Sequence, residues 1–194
     1  GFENIIRGVT RHLTHGLTQI NLRAQIPAAD QQTFVPFRDF IPRYQTASAH
    51  LIQGVKAGED PSLTVSWIIA GSPLTTVALP IVITRDSALP RIISRNQNGR
   101  ATLVDAGFEL KKKLFPFTRG NGADYLNLTV LLNQSGTGIL QQIEPIETTI
   151  FQKAEAVLQT MRKNGKPGAE ITDFYTWADK FIAEQYKEKF NILL

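Results

Sequence analysis

The chain has 194 residues, 42% of them hydrophobic and 20% charged, with a net charge of +4 and no cysteine. These values belong to a globular chain long enough to bury a sizeable core. They exclude disulfides, thiolate metal sites and cysteine nucleophiles, and no apolar run approaches the roughly 18 residues of a membrane helix, so no membrane insertion is expected.

From the N-terminus, Phe2, Ile5, Ile6, Val9, Leu13, Leu17 and Ile20 recur at steps of three and four. This spacing predicts one amphipathic helix over residues 2–20, weakened by Gly8 and Gly16 and in need of a surface to lie on. Residues 24–40 carry Phe34, Phe37 and Phe40 at spacing three, but Pro27 and Pro36 forbid a continuous helix. The expectation is an extended arm, with residues 1–40 as helix plus arm and residues 41–194 as a single domain. Pro42 suits the first position of a helix carrying Ile41, Tyr44, Leu51, Ile52 and Val55, stopped at Gly58.

The pattern then changes. Leu63, Val65, Trp67 and Ile69 alternate with polar residues, and Leu74–Thr84 is β-branched and apolar, with Pro80 pointing to an edge or bulge. Asn96-Gln97-Asn98-Gly99 lies between two apolar runs, 91–95 and 101–110, which predicts a hairpin. Leu126, Leu128, Val130 and Leu132 alternate as a strand should. The end is helical, with one stripe from Ile146 to Met161, a stop at Asn164-Gly165-Lys166-Pro167-Gly168, and a last helix capped by Thr172 or Asp173. Helices, then strands, then helices describe an α+β fold, an antiparallel sheet of about five strands flanked by N-terminal and C-terminal helices. A parallel nucleotide-binding sheet would need strands and helices in alternation.

Charge is uneven. Residues 85–119 hold eight basic side chains against Asp86, Asp105 and Glu109, a net of +5, while residues 120–194 hold seven basic and nine acidic ones. Arg91, Arg95, Arg100, Lys111, Lys112, Lys113 and Arg119, on or beside the expected hairpin, are the candidate contacts for a polyanion or an acidic partner. Phe108, Phe115 and Phe117 are interleaved with them, as stacking on single-stranded bases would require.

Motifs for chemistry are weak by comparison. His12 and His15 have metal-ligand spacing but no third ligand nearby. Asp105 and Glu109, placed on a strand, would stand about 13 Å apart, too far to cooperate. Glu144 and Glu147 fit the start of a helix, where carboxylates favour the dipole. Asn133-Gln134-Ser135-Gly136 lacks the first glycine of a nucleophile elbow, and Thr118-Arg119-Gly120-Asn121-Gly122 lacks the lysine and helix of a phosphate loop. The expectation is a non-enzymatic assembly protein with no cofactor or metal, one subunit of a symmetric ring, tube or shell, with a virus or phage particle as the best single setting and the cytoplasm before assembly. It would contact copies of itself and neighbouring assembly proteins through Phe2, Ile5, Ile6, Val9, Phe34, Phe37 and Phe40. The alternative is a nucleic-acid-binding module built on the basic hairpin.

Overall fold

In a computed structural model, which describes residues 2–83, 89–117 and 119–194, the N-terminal stripe forms helix α1 only over Phe2–Thr10. The chain then doubles back. His15 donates its backbone N–H to Ile20, and Leu22 donates to Leu13, so Leu13 and Leu22 enter the core beside Ile6.

The segment expected as a free arm is stitched to the body. Strand β1 (Phe34–Pro36) pairs antiparallel with β5 (Tyr125–Asn127), setting Val35 opposite Leu126. Around it, Phe37 donates to the Asp124 carbonyl and Gln134 to that of Pro27. Phe37 and Phe40 stack at 4.3 Å between ring centroids and are buried. One apolar cluster therefore takes residues from both sides of position 40.

The fold is α+β with antiparallel pairing and helices at both ends. The five described strands divide into the β1–β5 pair and a three-stranded sheet, β2 (Ser48–Gln53), β3 (Val65–Ala70) and β4 (Ala78–Val82), in that order. β3 is the strand its alternation predicts, and Trp67 on its inner face stacks on Phe151 of helix α4 (Ile139–Asn164) at 4.7 Å. β4 lies at a sheet edge, where the N–H that Pro80 lacks is not needed. β2 replaces the helix expected after Pro42. Its side chains alternate between exposed and half-buried, with Leu51 opposite Trp67.

The expected hairpin is absent. Arg91–Ile93 form a 3-10 turn, and Thr102–Leu114 form helix α2, whose buried positions Leu103, Ala106, Gly107, Leu110 and Leu114 follow a helical period. The Asn-Gly turn survives without strands. Gly99 takes a positive φ of 73°, and the Asn96 side chain accepts from the Asn98 and Arg100 amides. Leu126–Leu132 also departs from a single strand, because the Asn127 side chain accepts from the Val130 amide and turns the chain into the short helix α3 (Leu128–Leu131). α4 begins at Ile139, before the expected stripe, so Glu144 and Glu147 lie inside it rather than at its start. It stops at Gly165 with φ 71°, and α5 (Ala169–Phe190) follows.

Between β3 and β4 the chain runs as a buried loop, Gly71–Val77. Buried backbone polar groups must find partners. Arg11, itself wholly buried, supplies several. Its Nε donates to the Pro73 carbonyl at 2.7 Å and one Nη to that of Thr76 at 3.0 Å. Both Nη atoms also grip the Glu147 carboxylate. Glu147 in turn accepts from the Ala78 amide at 2.8 Å and from Arg7 at 3.1 Å. Tyr186 donates its hydroxyl to the Thr75 carbonyl at 2.9 Å, and the Thr75 hydroxyl donates to the Gly107 carbonyl at 2.9 Å. A Cβ on Gly107 would stand 2.4 Å from the Thr76 methyl, so glycine is what lets α2 approach this loop.

Burial pushes the Glu147 carboxyl up, but Arg11, the Ala78 amide and Arg7 together hold it below its ordinary value of 4.5. Its contribution to stability is therefore present above pH 4.5 and is lost as pH falls through the depressed folded value. Removing one partner leaves the other charge buried without compensation, which costs about 3–5 kcal/mol. Urea denaturation of Arg11→Met and Glu147→Gln should each show a loss of that size, and the double variant should lose clearly less than the sum. Arg11→Met should also flatten the acid limb of the stability curve.

Candidate docking surfaces

The sequence-predicted contact residues separate into two groups. On α1, Ile6 points into the core, while Ile5 and Val9, four residues apart on the outward face, are 47% and 53% exposed. Phe2 is half-buried and lines a hollow of about 340 Å³ with Gln53, Trp67 and Phe151. Phe34 packs on Phe117 at 4.7 Å. Phe37 and Phe40 belong to the chain's own core, where their rings are already covered, so they offer no free surface.

The basic residues do not form a ribbon. Arg91 lies against α5, its backbone N–H donating to the Asp179 carboxylate at 2.9 Å. Arg95 is exposed in the loop that follows. Arg100 pairs with Asp105 at 2.8 Å at the start of α2. Lys111, Lys112 and Lys113 occupy its last turn, where cations complement the helix dipole. The two ends of that helix are about 18 Å apart by helical rise. Arg119 flanks a further hollow with Phe117 and Tyr125. Arg85 and Asp86 lie outside the described residues.

What the fold does assemble is an aromatic pocket around Lys111. Tyr44, Phe108, Phe115 and Phe117 line a cavity of about 820 Å³, with Lys112 at its side. Lys111 is only 8% exposed. Its Nζ sits 4.7 Å from the centroid of Tyr44 and 5.6 Å from that of Phe108. Ring faces attract a cation, by about 0.5–2 kcal/mol each. Burial lowers the Lys111 ammonium below its ordinary range. Phe108 and Phe117 remain 39% and 47% exposed, so the pocket's apolar walls continue onto the surface. The role of Tyr44 was hidden because its neighbourhood looked helical.

The other candidates for chemistry are dispersed. α1 ends before His12, and His15 Nδ1 accepts from the Thr18 amide. Among the described residues, no group of three or more His, Asp or Glu side chains is arranged to hold a metal. Asp105 and Glu109 stand one helical turn apart on α2, not on a strand. Glu144 accepts from Arg23 in an exposed pair. No helix of the described chain is long and apolar enough to cross a membrane.

A scan against protein-family models gives no match, and neither does a comparison with curated proteins or with solved structures.

A lysine whose folded-state ammonium is depressed by burial weighs against stability while it stays charged, and that penalty fades as pH rises towards its unfolded value of 10.5. Lys111→Met keeps the unbranched stem and removes the charge. It should raise the thermal midpoint at neutral pH, and the gap to wild type should narrow as the buffer is taken towards pH 10, as followed by circular dichroism.

Proposed function

We propose that this chain is a non-enzymatic assembly protein, a subunit of a symmetric oligomer that meets copies of itself through α1. The observation that carries the reading is that α1 has apolar side chains on two sides. Ile6 fills the core, and Ile5 and Val9 leave a second face open to water. A nine-residue helix gains its stability from packing rather than from propensity. A second apolar face on so short a helix is best used against a neighbour, because exposed apolar patches on otherwise folded surfaces mark interaction sites. Closed symmetry then follows from one self-complementary or head-to-tail contact, which should bury about 1,000 Å² or more in total. A ring, tube or shell of a virus or phage particle is the setting we favour.

The contact is carried by the helix and not by a swapped arm, since residues 24–40 are committed to their own body. Removing residues 1–40 would strip Arg11, Leu13, Phe37 and Phe40 from the core and unfold the chain. Surface substitution is the cleaner test. Sedimentation velocity should give a mass several times the 21.6 kDa of one chain. Ile5→Glu with Val9→Glu should return it to one chain with an unchanged circular dichroism spectrum. A wild-type protein that stays monomeric at high concentration would sink the proposal.

A further inference from the structure

The Lys111 pocket holds a buried cation that the chain itself leaves unneutralised. Among the described residues no carboxylate comes within 4.0 Å of its Nζ, and the amine makes no hydrogen bond. Every fully buried side-chain nitrogen or oxygen there does have a partner, so the Nζ must reach the water of the pocket. The contrast with Arg11 is direct. Arg11 is buried with a carboxylate and two carbonyls to receive its protons, whereas Lys111 is buried with ring faces alone.

We infer that this pocket binds an acidic segment of a partner protein, with a glutamate or aspartate carboxylate docking on Lys111 and an apolar neighbour covering Phe108 and Phe117. A carboxylate entering the pocket meets an ammonium that has exchanged part of its water for the ring faces of Tyr44 and Phe108. Part of the desolvation cost of the pair is then met within the folded chain, and the pair forms in a medium that screens it weakly. Exposed aromatic rings around a charged anchor match the make-up of interface hot spots. The geometry favours peptide over nucleic acid. One amine recessed between rings suits a carboxylate on a slender stem. A phosphate backbone needs cations in a row, whereas Lys112 is the one other cation lining this pocket, and Arg100, before the far end of α2, is already paired with Asp105. The pocket shares no residue with the outer face of α1, so this inference stands or falls separately from the assembly reading.

The test uses the full chain and fluorescence anisotropy with three probes: a short labelled peptide alternating glutamate with phenylalanine, its glutamine counterpart, and a labelled oligothymidylate. The glutamate peptide should bind, and the glutamine peptide should bind at least about tenfold more weakly, the ratio that roughly 1.4 kcal/mol represents. Lys111→Met should cause a loss of similar size, and Phe117→Ala a smaller one. Lys113→Met, which removes an exposed charge two residues further along α2, should cost less than about twofold, as a solvated charge does. Equal losses for Lys111→Met and Lys113→Met would overturn the inference, because attraction would then be diffuse. It would equally be overturned by oligothymidylate binding in place of the peptide, or by no binding of either. Lys111→Gln, checked for folding by circular dichroism, guards against a loss that comes from the methionine side chain.

Discussion

Everything in this fold is arranged around one buried loop and the ion pair that satisfies it. Gly71–Val77 passes through the interior without regular secondary structure, and its carbonyls and amides need partners there. The Arg11 guanidinium and the Glu147 carboxylate meet that need from opposite sides, one from the residue that follows α1 and the other from the middle of α4. The pair therefore ties the N-terminus, the turn between β3 and β4, and the longest helix into one unit. Arg7 extends the connection, donating to Glu147, the Glu144 carbonyl and the Thr148 hydroxyl. Tyr186 closes it from α5, and burial pushes its phenol well above the ordinary range, keeping it a neutral donor.

The same chemistry has two outcomes within one chain. Arg11 is wholly buried and surrounded by acceptors, so its charge is structural. Lys111 is largely covered too, but its ammonium meets ring faces and pocket water and no carboxylate, so its charge weighs against the folded state and remains available to an incoming anion. Residues that oppose stability and are retained in a pocket are where binding function is usually found. α1 repeats the theme in apolar form, with one face used by its own core and one left over.

Long elements with clean periods were legible in the sequence. β3 follows from the alternation of Val65, Trp67 and Ile69, the edge position of β4 from Pro80, and the stop of α4 from Asn164-Gly165. Short or ambiguous ones were not. Residues 101–110 show a helical period in Leu103, Ala106, Gly107 and Leu110, but the preceding Asn-Gly turn suggested a hairpin, and the turn closes on itself through Asn96 instead. Alternation from Leu126 to Leu132 masked a cap at Asn127. The stripe read from Ile146 missed the first turns of α4, which begins at Ile139 and carries Pro145 inside it. Pro27 and Pro36 suggested a detached arm, because sequence shows what blocks a helix but not which distant segment pairs with an extended one. The Arg11–Glu147 pair was invisible for the same reason: 136 positions separate the partners. Of the candidate pocket, Phe108, Lys111 and Phe117 were readable as basic and aromatic neighbours. Their convergence with Tyr44 needed the fold.

Native-state hydrogen exchange at the Ala78 amide reads how firmly the ion pair holds the buried loop, because that N–H is held by Glu147 at 2.8 Å in the interior. If the ion pair fastens the buried loop to α1 and α4, the amides of Thr75, Thr76 and Ala78 should exchange only through global unfolding, with the same opening free energy as the middle of α4. Exchange of those amides through a low-energy local opening, while α4 stays protected, would show that the pair does not fasten the loop to the helices.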